Sequence, residues 1–417
     1  MVSSSSKTCG FDFGTSNSSI GQMFDGAPRL VEIQEGQTSV PTSIFFSSDD
    51  DKAYFGREGV DRYLQRDEGR LLRALKGVLG SSLIYETTLV ARQRLAFLDI
   101  ISLFICFVRE AADGPDTVVM GRPVHFVDDD EIADSNAEDE LRQAAEQAGF
   151  SEVEFQYEPI AAALDYERSV AAEELAFVVD IGGGTSDFSI VRVSPDRRED
   201  PDRKSDILGY SGVRVGGTDF DRYLNLRSVM PELGMASKMR HKNLQPPIWW
   251  FHDLATWQRI NFMYDPRVIS DIRQVKRDAL EPEKLDRLIE VIEQRHGHKL
   301  LGAVEQAKIE LSEVDVTLLP LLDLVDVADV QISRHDLEDA IGASVDKITT
   351  RLRDTLQHAG VSPGAINAVF LTGGSSRLPL LRAQVQSVFP EAVMVEGDTF
   401  GSVASGLTMD ARNKFGS

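Results

Sequence analysis

Two stretches of this sequence, one in each half of the chain, can be written one above the other. The first is Gly10-Phe11-Asp12-Phe13-Gly14-Thr15-Ser16-Asn17-Ser18, the second Val179-Asp180-Ile181-Gly182-Gly183-Gly184-Thr185-Ser186-Asp187. Each starts as an apolar, strand-like run (Thr8 to Phe13; Leu175 to Ile181) and breaks at glycine. Each then resumes as a β-branched or aromatic segment (Ser18 to Phe24; Asp187 to Val193). That is the pattern of a hairpin, two strands joined by a glycine turn, and not of a strand feeding a helix. One such hairpin alone reads most simply as a turn. A pair with aspartate at the same offset predicts two similar lobes clamping one ligand.

The residue types indicate the ligand's chemistry. A nucleotide's phosphate chain needs backbone N–H donors at close range, and glycine permits both the turn and the approach. The hydroxyls of Thr15, Ser16 and Thr185 add donors. Asp12 and Asp180 would repel phosphate on their own. They make sense as holders of a divalent metal, mostly through water, because Mg²⁺ keeps its waters and takes few direct carboxylates. Other phosphate signatures are missing: there is no G-x-x-x-x-G-K-[ST], and no G-x-G-x-x-G that follows a strand and opens a helix. A third glycine segment runs from Val369 through Thr372-Gly373-Gly374-Ser375-Ser376-Arg377 to Pro379. It is either an ordinary strand-to-helix turn or a backbone platform for an adenosine, with Arg377 flat on the base.

Composition removes some function classes. At 417 residues the chain is long enough for roughly two to three domains. Its formal charge of −23, from 44 basic and 67 acidic residues, argues against nucleic-acid and anionic-membrane partners. The two cysteines, Cys9 and Cys106, have no metal-type spacing. They fit a reducing cytoplasm better than a disulfide framework. Met1 to Lys7 is serine-rich without an apolar core, unlike a signal peptide. Leu95 to Val108 is apolar but contains Asp99 and falls short of the about 20 residues of a membrane span, so a buried helix is expected.

Helices are expected at Leu141 to Ala148, at Ala161 to Ser169 with Pro159 at its start, at Leu285 to Arg295 and at Leu300 to Glu313. A further long helix or pair, Asp336 to Ala359, is ended by Gly360 and Pro363. A strand is expected at Ala368 to Thr372 and a helix from Pro379. The acidic Asp128 to Asp139 and the charged Ser194 to Asp206 read as loops. Trp249, Trp250, Phe251, Trp257, Phe262 and Tyr264 crowd together, either as a small core or as a partner surface.

These motifs resemble the two phosphate segments and the adenosine segment of the actin, hexokinase and heat-shock chaperone superfamily. The closest resemblance is to the ATPase domain of DnaK-type chaperones. Glu158-Pro159-Ile160-Ala161-Ala162-Ala163 is similar to that family's first connecting segment and Gly401 to Leu407 to the second. Val215-Gly216-Gly217-Thr218-Asp219-Phe220-Asp221 matches a further segment, and Glu305-Gln306-Ala307-Lys308 with Ser312 the adenosine-side helix. Within the family the chain looks most like the YegD branch, which the Trp249 to Tyr264 region also resembles.

The resemblance implies an α/β, two-lobed actin-like ATPase fold of duplicated ribonuclease H-like domains, each with a smaller subdomain. Lobe I would span 1–170, with subdomain IB at about 41–112. Lobe II would span 171–397, with subdomain IIB at about 222–310, and 398–417 would be a helix returning to lobe I. It also implies ATP or ADP with Mg²⁺, and K⁺ as a further ion. Asp12 and Asp180 would sit on the metal side, and Gly14, Thr15, Ser16, Asn17, Gly182, Gly183, Gly184 and Thr185 on the phosphates. Lys76 would reach the γ-phosphate and attacking water, with Glu158, Asp187 and Thr185 orienting water and metal shell. Gly216 and Gly217 would line the nucleotide site. Glu305, Lys308, Ile309 and Ser312 would hold ribose and base, and Gly373, Gly374, Ser375 and Arg377 would close the other side.

Two positions depart from the family pattern. Ile309 replaces an arginine that stacks on adenine, losing a cation–π contribution of about 0.5–2 kcal/mol. Phe400 replaces an aspartate near the phosphates. The stretch after Gly406 holds no acidic linker or peptide-binding domain. The expectation is therefore a slow, monomeric, chaperone-like ATPase switch with a protein partner. The alternatives are a non-hydrolysing nucleotide module and an actin- or MreB-like filament protein. A sugar kinase is disfavoured because no acceptor-binding segment is evident.

Overall fold

The computed structural model describes residues 8–65, 67–90, 93–127, 130–197, 200, 202–240, 245–257, 259–322, 328–395 and 401–416. Two sheets share a five-strand path, and the first adds a short strand, Ser39–Pro41, paired with Asn17–Ser19. The first contains β1 (Thr8–Phe13), β2 (Asn17–Phe24), β3 (Ala27–Leu30), β4 (Thr117–Arg122) and β5 (Glu152–Tyr157). The second contains β6 (Glu174–Ile181), β7 (Ser186–Val193), β8 (Ile207–Val213), β9 (Ala368–Thr372) and β10 (Val393–Val395). The spatial orders are β3-β2-β1-β4-β5 and β8-β7-β6-β9-β10. In both, the first three strands are an antiparallel meander and the last two run parallel to the first. The chain is thus a mixed α/β protein with an actin-like ATPase fold, and each glycine hairpin is the first hairpin of its sheet.

The strands β1 and β4 are buried nearly throughout, which is why they read as continuous apolar runs. Phe11, Phe13, Ile20, Phe104, Ile105 and Met120 meet in one core cluster. The helix Phe97–Ala111 supplies Phe104 and Ile105, as expected for the apolar run at Leu95 to Val108. No helix among the described residues is long and apolar enough to cross a membrane. Cys9 is buried, Cys106 partly so, and both are free thiols.

Two compact units can be separated. One comprises residues 1–214, 350–376 and 385–417, and holds both five-stranded orders. It also carries a small sheet of Ser43–Ser47, Ala53–Phe55 and Gly69–Arg73. The other comprises residues 215–349 and 377–384. It is largely helical, with Gly217–Ser228, Ile248–Leu254, Pro266–Lys276, Pro282–Glu293 and Gly297–Leu311, and a two-stranded ribbon of Val316–Leu319 and Val330–Ser333. In this unit Trp250, Phe251, Leu254, Ile260 and Met263 are buried, so the aromatic crowd is mainly a core; Trp249 and Phe262 stay exposed.

Two expected loops turn out differently. Residues 131–139, read as loop, are the first half of the helix Glu131–Gln147. Asp130 caps it, its carboxylate accepting from Ala133 N at 3.0 Å, and acidic residues in a first turn complement the helix dipole. Ala137, Leu141, Ala144 and Ala145 then bury one face. Asp128 and Asp129 lie outside the described residues. The Ser194 to Asp206 stretch contains two short 3₁₀ turns, Pro195–Arg197 and Lys204–Asp206. It is pinned by Arg203, which pairs with Glu167 at 2.7 Å and with Asp206 at 2.5 Å, all three buried. Residues 198, 199 and 201 of that stretch lie outside the described residues.

The helix Ser402–Phe415 packs on β1 and on the helix Glu158–Glu167. The two helices approach closely at Gly406, where an added Cβ would sit 1.9 Å from the Ala161 carbonyl oxygen. Gly406→Ala must therefore push the helices apart, at about 1–3 kcal/mol or more. Gly302→Ala, at a helical site whose added Cβ meets nothing within 4 Å, should instead stabilise, by about 0.5–1 kcal/mol. Thermal unfolding of both variants should give Tm shifts of opposite sign.

Candidate functional site

The two hairpins share a register. In the first, Phe13 faces Ser18 and Asp12 faces Ser19. In the second, Ile181 faces Ser186 and Asp180 faces Asp187. Each therefore has a four-residue turn, Gly14 to Asn17 or Gly182 to Thr185. The second turn is closed by Gly182 N donating to Thr185 O at 2.9 Å. The first is buttressed by Thr42, whose hydroxyl donates to Gly14 O at 2.7 Å and whose N–H donates to Ser16 O at 2.8 Å. The turns meet at Ser16 and Gly183: a Cβ on Gly183 would lie 2.0 Å from the Ser16 hydroxyl oxygen, so glycine is required there for the approach.

Beside the turns lies a cluster of charge. Lys76 projects from a 3₁₀ turn, Leu75–Val78, and its ammonium donates to Glu158 Oε1 at 2.6 Å, both side chains being largely buried. The Phe126 ring centroid is 5.9 Å from Lys76 Nζ. Glu158 is the first residue of its helix, and the Pro159 behind it is preorganised for that start. Burial and the Glu158 carboxylate push the Asp12 carboxyl up to about 8, against the pull of Lys76. Burial, Glu158 and Asp187 push Asp180 up to about 7, opposed by a hydrogen bond from Thr372 and by Lys76. Burial also raises Asp187, although Tyr210 and Thr185 donate to it. For Lys76, burial works against the charge, but Glu158 and Asp12 hold the ammonium above its ordinary range.

One ammonium thus stands among four carboxyl groups. Burial and mutual repulsion favour protons on Asp12 and Asp180, and a divalent cation would remove that preference. The donors are all oxygen, which suits a hard ion such as Mg²⁺. Among the described residues no three acidic, histidine or cysteine side chains converge as a metal site. The all-oxygen side chains of the cluster fit Mg²⁺, an ion that keeps most of its waters.

Of the residues singled out in the sequence, the first unit brings together Asp12, Ser16, Lys76, Glu158, Asp180, Gly183, Thr185 and Asp187. It also holds Gly14, Thr15, Asn17, Gly182, Gly184, Gly373, Gly374 and Ser375. In the second unit, Gly216 caps the helix Gly217–Ser228, its N–H donating to Asp219 Oδ2 at 3.0 Å. Lys308 is buried, its ammonium on Asp221 at 2.8 Å and donating to the Gly217 carbonyl at 3.4 Å. Ser312 donates to Lys308 O at 3.3 Å. Ile309 is 51% exposed on the same helix, Glu305 is half-buried and Arg377 is exposed. Asp398, Thr399 and Phe400 lie outside the described residues.

Three contributors were not singled out as site residues in the sequence. Thr372 faces Asp180 across the parallel β6–β9 pair, Thr42 braces the first turn, and Tyr210 on β8 donates to Asp187. Only Thr372 lay inside a segment already marked by glycines.

The Hsp70 protein family model matches residues 279–413 and the MreB/Mbl protein model residues 127–225. The chain is 25% identical over 412 residues to the chaperone protein dnaK3 of Synechocystis sp., covering 91% of this chain and 45% of that protein. It is 24% identical over 424 residues to the chaperone protein DnaK of Nitrosopumilus maritimus, covering 97% and 56%. It is also 24% identical over 424 residues to a chaperone protein HscA homolog of Bordetella petrii, covering 96% and 57%. The chain spans about half the length of these relatives. Fold and site together define a member of the actin-like ATPase superfamily. Within it, the chain is similar to the DnaK-type, or Hsp70, proteins.

The raised carboxyls have a consequence for stability. Asp12 and Asp180 bind protons more tightly folded than unfolded. Without nucleotide or metal they therefore cost stability progressively as pH rises from about 4 to about 8. Asp12→Asn removes its share of that cost. Tm measured across this range should show the variant gaining on the parent as pH rises, with a plateau above about 8. A difference that stays flat with pH would contradict the assignment.

Proposed function

We propose that this chain binds ATP with Mg²⁺ and hydrolyses it slowly, as a chaperone-like, nucleotide-dependent switch. The observation that carries the reading is the convergence of Lys76, Glu158, Asp12, Asp180 and Asp187 beside two touching glycine turns. Amides and hydroxyls of Gly14 to Asn17 and Gly182 to Thr185 are proposed to hold the phosphates. Asp12 and Asp180 are proposed to hold Mg²⁺ through its waters, and that ion would neutralise phosphate charge. K⁺ is proposed as a second ion.

Lys76 is proposed to place its positive charge toward the phosphate while Glu158 sets its direction. Asp187 and Thr185 are proposed to orient the attacking water. Catalysis by such a site is mostly positioning and electrostatics, because the phosphoryl group needs little covalent help. In the second unit, Gly216, Gly217, Glu305, Lys308, Ile309, Ser312 and Arg377 are proposed as ribose and base residues. We place the chain nearest the YegD-like branch, in the cytoplasm, as a monomer that signals its nucleotide state to a protein partner.

A second reading, binding without turnover, is favoured by one observation: the half-exposed Ile309 offers an adenine no cationic partner. Phosphate release with ATP and Mg²⁺ separates the two. Under the leading reading, Lys76→Ala and Asp187→Asn each lower turnover about 100-fold or more. Tight calorimetric binding of ATP with release no faster than in Asp187→Asn would instead establish the second reading.

A further inference from the structure

Tyr210 belongs to none of the glycine segments, yet it reaches the reacting end of the site. It sits on β8, opposite Ser189 on β7. Its hydroxyl donates to Asp187 Oδ1 at 2.8 Å, and the Thr185 hydroxyl donates to Asp187 Oδ2 at 3.2 Å. The two carboxylate oxygens are thus held from different elements, one from a strand and one from a turn. These anchors are unequal. Thr185 is exposed on the turn, and a threonine hydroxyl rotates freely toward any better acceptor. The phenol is carried by a half-buried ring on a paired strand, and its oxygen has little freedom to leave.

The ring is itself braced. His125, in the segment after β4, packs against it edge-on, with centroids 5.4 Å apart and planes at 64°. Close to the same carboxylate, Gly212 faces Asp187 across β7 and β8, where a side chain would come 2.9 Å from Oδ1. Glu158, Asp180, Asp187, Tyr210 and Thr372 line one cavity. A phenylalanine would occupy nearly the same volume as Tyr210, so the hydroxyl is the part that does something a core residue would not.

We propose that Tyr210 is a positioning residue for the hydrolysis inferred above: its hydroxyl fixes the plane of the Asp187 carboxylate, with His125 bracing the ring. Oδ1 is committed to the phenol, and Oδ2 is the oxygen left to accept a hydrogen bond from a water in the cavity when Thr185 turns to the phosphate. This inference rests on the ATPase reading of the site.

Tyr210→Phe tests it, because the ring and its contact with His125 are kept. Three quantities are compared with the parent: single-turnover phosphate release with ATP and Mg²⁺, calorimetric Kd for ATP, and a crystal structure of the nucleotide-free variant. Release should slow by about 10- to 100-fold. Kd should stay within about twofold, since the interaction acts on the reacting water and not on ground-state binding. Asp187 should leave its parental orientation or split between two. Unchanged release, or release and Kd weakened by the same factor, would overturn the proposal while leaving the ATPase reading intact. If the parent itself releases no phosphate, the ATPase reading fails first. The crystal structure then decides the positioning role alone, and an Asp187 that has not moved sinks it.

Discussion

Four carboxyl groups gathered in one partly buried site repel one another, and the ion pair of Lys76 with Glu158 is what the arrangement depends on. Each carboxylate removed from water carries a desolvation penalty, and each neighbour adds to it. Lys76 offsets part of both for Asp12 and Asp180 as well as for its direct partner. The surrounding structure keeps that ammonium in place. Its turn is fastened from behind, where Gly80 N donates to the buried Glu140 on the helix Glu131–Gln147 at 2.7 Å. The helix whose first half reads as solvated loop is thus part of the scaffold for Lys76.

Topology explains how chemistry from distant sequence positions is brought together at so few points. In each sheet the first hairpin is central, flanked on one side by the third meander strand and on the other by a parallel strand. A turn at the end of a central strand gathers neighbours from both sides. Asp180 meets Asp187 across the hairpin and Thr372 across the parallel pair. Asp187 in turn meets Gly212, with Tyr210 two residues before it on β8. The helix Ser402–Phe415 packs so tightly at Gly406 that it fixes the helix beginning at Glu158. The geometry of the ion pair is therefore set by backbone packing some distance away.

This explains what could be read from the residues. The paired hairpins, the aspartates and the glycines were legible because their meaning is local: strand, turn and approach are encoded within ten residues. Lys76 and Glu158 could be assigned only by resemblance, since nothing in a lone lysine or a helix-initiating glutamate states that they touch across 82 positions. Tyr210 and Thr42 were illegible for the same reason. Each acts through strand register, and register belongs to pairs of segments and not to either one. The helix at Glu131 was missed on composition: acidic residues resemble a solvated loop until the cap at Asp130 and the apolar spacing from Ala137 onward are weighed together.

The two halves are alike in register but not in charge, and the difference is informative. At the position where the second hairpin sets Asp187 against Asp180, the first sets Ser19 against Asp12. Two carboxylates facing each other across strands are unfavourable, so a hairpin has no structural reason to keep them. Asp187 is retained in a place where burial raises its proton affinity and where two hydroxyls, from Tyr210 and Thr185, must be committed to lower it. The first hairpin, with the same turn length and the same strand pairing, folds with a serine there. The asymmetry therefore separates two otherwise matching elements: both end in a glycine turn, and only the second carries a further carboxylate oriented beside it.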